Sequence, residues 1–143
     1  MILLFNILFH ITLINEIIYI DKNINKYINT INITANMLCA EASHDWRECN
    51  AIMQVALNRK KYYQQSLQKI ITAKYQFATS CPKERLHYKH YLIAVYGTLN
   101  NKDLILPTWM NESILWFCTP AVAHKWKRKY KPVGRLRHIF WKK

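Results

Sequence analysis

Residues 37–59, Met-Leu-Cys-Ala-Glu-Ala-Ser-His-Asp-Trp-Arg-Glu-Cys-Asn-Ala-Ile-Met-Gln-Val-Ala-Leu-Asn-Arg, constrain the fold more than any other stretch. They read as a helix, a tight corner and a second helix. Thr30, Asn32 or Thr34 can cap the first helix. Ile33, Met37 and Ala40 follow at i, i+4 and i+7, the spacing of one buried face. Asp45 with Glu48 three residues later is a capping-box pattern, so the second helix is expected to start near Trp46. Ala51, Ile52, Val55 and Ala56 form its buried stripe. Glu41 then stands at the corner among Met, Leu, Cys and Ala. An apolar setting disfavours a charged carboxylate and raises its pKa. A carboxylic acid kept protonated near neutral pH is what general-acid cleavage of a glycosidic bond requires. A Glu in the last turn of a helix is more commonly a solvated surface residue, and the residues alone leave both readings open.

The stretch CAEASHDWRECNAIMQVALNR, residues 39–59, resembles the opening motif of the SleB-type cell wall hydrolases, the family of the spore cortex-lytic enzymes. Members read approximately YAEA-x-x-E-x-x-E-G-x-x-AVAxVxLNR, and the spacing here is the same without a gap. Gln76-Phe77 matches the family's QF element. Leu115 to Ala121, with Lys125-Trp126, resembles its LYYYNPA…KW segment. Residues 135–140, Arg-Leu-Arg-His-Ile-Phe, resemble its terminal RIGNHVF. The resemblance spans about residues 34 to 141. The chain departs from the family at three points. Thr119 stands where members carry Asn, Cys49 replaces a Gly, and the last motif lacks its Gly and is one residue shorter.

This resemblance implies an α+β, predominantly helical, lysozyme-like domain with a small antiparallel strand pair, and one catalytic Glu, here Glu41. It implies cleavage of peptidoglycan glycan strands without a cofactor or metal. Gln76, Phe77, Trp116, Phe117, Thr119 and His138 are the expected substrate-binding residues, the aromatics as sugar-stacking surface. For Phe77 a core position is an equal alternative, and His138 can equally be a satisfied strand histidine. Gln76 would bond the N-acetyl group or position Glu41, and Asn58 would tie the end of the second helix. A second carboxylate would permit hydrolysis, but Asp45 and Glu48 read as caps, and Asp103 and Glu112 lie in or beside a loop. Lytic transglycosylation, which needs a single Glu as acid and then base, is the favoured reaction, with a hydrolytic muramidase as the alternative.

Charge adds a partner class. The formal net charge is +13, and residues 124–143 hold nine Lys or Arg and no acid. Such a tail seeks a polyanion. The expected partners are peptidoglycan and anionic wall polymers, with no specific nucleic acid, and the expected form is a monomer. A rival reading is a small basic nucleic-acid-binding protein whose Trp126, Tyr130, Phe140 and Trp141 stack bases. Another is a wall-binding protein without activity. The four cysteines fit no zinc spacing, and buried free thiols are the default over disulfides. No phosphate-cradling Gly-rich loop, Gly-x-Ser-x-Gly or His-Glu-x-x-His is present.

The chain divides into residues 1–29 and 30–143. Residues 1–20 are strongly apolar and read as an export signal or weak membrane anchor, which places the protein outside the cytoplasm; an extra core helix is the alternative. Residues 21–29 are polar and read as a linker. Beyond the helix pair, Ser66 caps a short helix over 67–74. A longer helix is expected over 84–99, with Tyr88, Leu92, Val95 and Leu99 sharing its face. Residues 113–118 read as a strand, 119–130 as a helix behind a Thr-Pro cap with Val122 inward, and 137–141 as a strand that pairs with the first.

Overall fold

The computed structural model describes residues 24–74, 76–99, 104–127 and 129–142. The apolar segment 1–20 and Asp103 lie outside these. Helix α1 runs over 24–42, α2 over Trp46–Tyr63, α3 over Leu67–Thr72 and α4 over Tyr88–Leu99. A 3-10 turn, Lys83–Arg85, precedes α4. Strand β1, Ile114–Cys118, leads through a second 3-10 turn, Pro120–Val122, into the short α5, Ala123–Trp126. Strands β2, Lys131–Arg135, and β3, Ile139–Lys142, complete an antiparallel sheet of order β1-β3-β2. The fold is α+β and mainly helical.

Helix α2 is the central element. It packs against α3, α4 and β1, and its Ala51, Ile52, Val55 and Ala56 are all buried, as their period requires. Asp45 caps it by accepting the N–H of Glu48 at 3.1 Å. Ser66 caps α3 in the same way, at 3.2 Å from the N–H of Lys69. Leu67, Ile70 and Ile71 face inward from α3. In the sheet, Trp116 pairs with Trp141 and Phe117 with Phe140, so the two segments expected to pair do so.

Six expectations are corrected. Residues 24–29 are helical turns of α1 and not a linker. The residues that read as caps, Thr30, Asn32 and Thr34, lie inside that helix, and Thr30 and Thr34 turn their side chains onto carbonyls four residues back, at 3.1 and 2.7 Å. Helix α4 buries the opposite face from the one its large apolar residues mark. Tyr88, Leu92 and Leu99 are exposed, whereas His90, Ile93, Ala94 and Gly97 are inside. Gly97 decides this: a Cβ there would overlap Met53 of α2, so the small face makes the close approach.

The 119–130 helix is only a 3-10 turn and one α turn. Thr119 precedes it without a side-chain cap bond, and Val122 is exposed. Finally, the basic C-terminal stretch is no tail. Its Lys-Pro-Val-Gly-Arg segment forms β2, which Pro and Gly disguise, and which tolerates Pro because it is the sheet edge. The expected strand pair is thus a three-stranded sheet.

Candidate active site

Glu41 is the next-to-last residue of α1 and is half-buried. The corner behind it turns through Ser43, whose φ of 52° is left-handed. Ser43 is held there: His90 of α4 contacts its carbonyl through Nε2 at 2.5 Å. Across the chain, the backbone N–H of Ala78 donates to Oε1 of Glu41 at 2.5 Å. Burial raises the Glu41 pKa above the ordinary 4.5, against the lowering pull of the Ala78 N–H and of the charges on His138 and Arg59. The carboxyl is therefore biased toward its protonated form while part of it stays open to solvent.

The loop bearing Ala78 is tethered. Cys81 is disulfide-bonded to Cys39, two residues before Glu41 in α1, with a Cα–Cα distance of 5.8 Å. Two of the four cysteines thus depart from the free-thiol expectation. Cys49 and Cys118 are free and buried. Burial pushes the Cys49 thiol up to about 12, so it supplies no thiolate near neutral pH.

Arg59 organises the other wall. It is buried near the end of α2, donates through Nε to Leu115 O at 2.6 Å and through a terminal nitrogen to Gln76 Oε1 at 3.0 Å. Its guanidinium lies 4.6 Å from the ring centroids of both Phe77 and Trp116. Burial lowers its pKa to about 10, and the guanidinium still carries its charge at neutral pH. Asn58 beside it bonds the carbonyls of Asn111 and Ile114 at 2.8 and 2.9 Å, so it does tie α2 to β1.

Of the expected substrate-binding residues, Phe77, Phe117 and His138 come together. Phe77 and Phe117 have ring centroids 5.8 Å apart, and Phe117 meets His138 edge-on at 5.2 Å. Phe77 and Trp116 are half-buried, each with Arg59 close to its ring. Gln76 spends its carbonyl on Arg59. Thr119 is exposed beyond the end of β1. His138 is buried, and its Nδ1 and backbone N–H both meet Oε1 of Glu48, at 2.7 and 2.6 Å.

Glu48 corrects the capping-box expectation. Half of the box forms, through Asp45, but the Glu48 side chain turns inward and is 0% exposed. A periodic signal for this exists: Glu48, Ile52, Val55 and Arg59 fall at i, i+4, i+7 and i+11, all on the buried face of α2. Sequence reasoning also left Arg59 and the Ala78 N–H unassigned, and a backbone donor leaves no side-chain signal to find.

The remaining described carboxylates lie elsewhere. Asp45 is spent on its cap, Glu84 is exposed in a 3-10 turn, and Glu112 pairs with Lys61 at 2.6 Å on the surface. Among the described residues, no group of three His, Cys, Asp or Glu is placed to hold a metal ion, and no helix is long and apolar enough to cross a membrane. Lys125, Lys127, Lys129, Lys131, Arg135 and Arg137 are exposed around α5 and β2. Phe140 and Trp141 are 0% exposed, so they cannot serve as base-stacking platforms.

Compared with known proteins, the chain matches no family model, no curated protein and no solved structure.

Proposed function

We propose that this protein cleaves the glycan strands of peptidoglycan by lytic transglycosylation, on a lysozyme-like arrangement of helices and sheet. One observation carries the reading. Glu41 is a half-buried carboxyl at a helix corner, where burial biases its pKa upward, held by the N–H of Ala78, whose neighbour Phe77 meets Phe117, which in turn meets His138. Glu41 protonates the glycosidic oxygen as the bond to the muramic acid anomeric carbon breaks. The resulting carboxylate then takes the proton of the muramic acid 6-hydroxyl, whose oxygen closes on the anomeric carbon as a 1,6-anhydro ring. Atoms balance without water, and one carboxyl serves as acid and then base.

Hydrolysis requires a second carboxylate that can reach water at the sugar face. Among the described residues, Glu48 is 0% exposed, Asp45 caps α2 and Glu112 pairs with Lys61, which supports the single-carboxyl route. The exposed cations around α5 and β2 suit anionic wall polymers. The Cys39–Cys81 bridge suits an oxidising compartment outside the cytoplasm, where a monomer would meet the wall.

The test is digestion of purified peptidoglycan with mass spectrometry of the fragments. Transglycosylation yields 1,6-anhydromuramic ends, one water lighter than reducing ends. Reducing ends alone would make the protein a hydrolytic muramidase. No glycan release from a folded preparation would sink the proposal.

A further inference from the structure

Arg59 carries a buried charge without a counter-charge. It is 3% exposed. Its bonds to Leu115 O and Gln76 Oε1 use two N–H groups of a guanidinium that has more to give, and both acceptors are neutral. Among the described residues the ion pairs are Lys61 with Glu112 and His138 with Glu48, and neither includes Arg59. The nearby rings of Phe77 and Trp116 attract a cation but do not neutralise it. A buried charge that lacks a partner of opposite sign is costly to keep in a fold.

Arg59 also lines a cavity of about 300 Å³, whose other walls are Tyr63, Gln65, Ile70, Ala73 and Gln76. That volume is at the low end for ligand sites, so it suits one short branch and not a run of sugars. An anion in the cavity reaches the guanidinium without any unfolding. The guanidinium fork matches a carboxylate. Tyr63 and the two glutamine amides supply hydrogen bonds for peptide groups, and Ile70 and Ala73 supply an apolar wall for a small side chain.

The cavity is close to the proposed chemistry. Gln76 stands two residues before Ala78, whose N–H holds Glu41. Two residues span at most about 7 Å of backbone. A branch on a sugar bound at Glu41 is thus short of the cavity by only a few bonds.

We propose that this cavity is a subsite for a carboxylate of the peptide stem that muramic acid carries, with Arg59 as its counter-charge. The identity of the ligand rests on the peptidoglycan reading. The preference for a carboxylate rests on Arg59 and is readable without turnover.

The experiment is calorimetric titration of the full chain with N-acetylmuramoyl-L-alanyl-D-isoglutamine, which ends in one free carboxylate, and with the same compound carrying an amide there. The acid should bind about tenfold tighter or more, the effect of a hydrogen bond between charged groups. Equal affinities, or no binding of the acid, overturn the proposal, and this arm needs no variant that folds.

Ala73→Trp then tests the place. Ala73 is exposed and its backbone is extended, with φ −61° and ψ 134°, a conformation open to any L residue. The new indole fills the cavity from its rim at little cost to the fold, which circular dichroism checks. In the folded variant the preference for the acid should vanish. A preference that persists would assign the carboxylate to the exposed cations around α5 and β2 and overturn the proposal. Glycan cleavage is a separate readout. Carboxylate binding with no glycan release sinks the Glu41 chemistry and leaves the subsite, and release with no carboxylate preference does the reverse.

Discussion

Ala78 donates its backbone N–H to Oε1 of Glu41 across 37 residues of chain, and the Cys39–Cys81 bridge closes a loop around the same contact. The two tethers lie within three residues of each other on both sides. Breaking the bridge by Cys39→Ala with Cys81→Ala should cost about 2–4 kcal/mol of stability. Well below the melting temperature, cleavage should also fall, on the order of tenfold to a hundredfold, because a small misplacement of a positioned acid is expensive. Urea titration and product release, measured with and without reductant, check the two effects separately. Unchanged cleavage by the folded reduced protein would show that Ala78 holds Glu41 without the bridge.

Replacing Glu41 by Gln keeps the acceptor for Ala78 and removes the transferable proton. The fold should survive, since a half-buried corner accepts a neutral amide at least as well as an acid. Cleavage should drop by about 10²–10⁴. In the parent, the alkaline limb of the activity profile should lie above the ordinary carboxyl value of 4.5, because burial raises the Glu41 pKa and the acid must carry its proton. Circular dichroism and product mass spectrometry together read this outcome.

Arg59→Lys should be destabilising despite keeping the charge. A lysine cannot donate to both Leu115 O and Gln76 Oε1 and also keep a planar cation near the rings of Phe77 and Trp116. The expected cost is about 1.5–3 kcal/mol, that of a lost hydrogen bond to a charged group. A denaturation midpoint equal to the parent's would show that the guanidinium geometry is immaterial.

The inward face of α4 is testable by two small changes. Gly97→Ala places a methyl against Met53 and should cost about 1–3 kcal/mol by overpacking. Leu92→Ala, on the exposed side, should shift stability by no more than about 0.5 kcal/mol. The reverse ranking in thermal melts would mean that the large residues are the buried ones.

His90 gives the fold a pH dependence of known sign. Burial holds its pKa below the ordinary 6.5, with His44 and His87 adding repulsion. Its Nδ1 accepts the N–H of His87 at 2.9 Å and its Nε2 meets Ser43 O, so a second ring proton breaks a bond. The unfolded chain therefore takes up the proton first, and stability present above 6.5 is lost as pH falls through the folded value. Urea midpoints should decline as pH falls below about 6.5 toward the depressed folded value. Glu41, with a raised pKa, works in the opposite direction at lower pH. His90→Gln should flatten the decline, and a slope unchanged in that variant would assign it to other groups.

Several features were legible in the residues because they depend on near neighbours. The stripe Ala51, Ile52, Val55 and Ala56 and the caps Asp45 and Ser66 are local patterns. They record which side chains share a face. They do not record what that face meets. Helix α4 is apolar on both sides, and only the fit of Gly97 against Met53 chose the inner one. Glu48 has the spacing of a cap residue and of the buried stripe at once, and His138, 90 residues away, decided between them. Cys39 found Cys81 across 42 residues, and Glu41 found a backbone N–H that no side chain announces. The corner that presents Glu41 is written in the order of residues 37–59. Burial raises its proton affinity, against the pull of the Ala78 N–H, and only close packing supplies both.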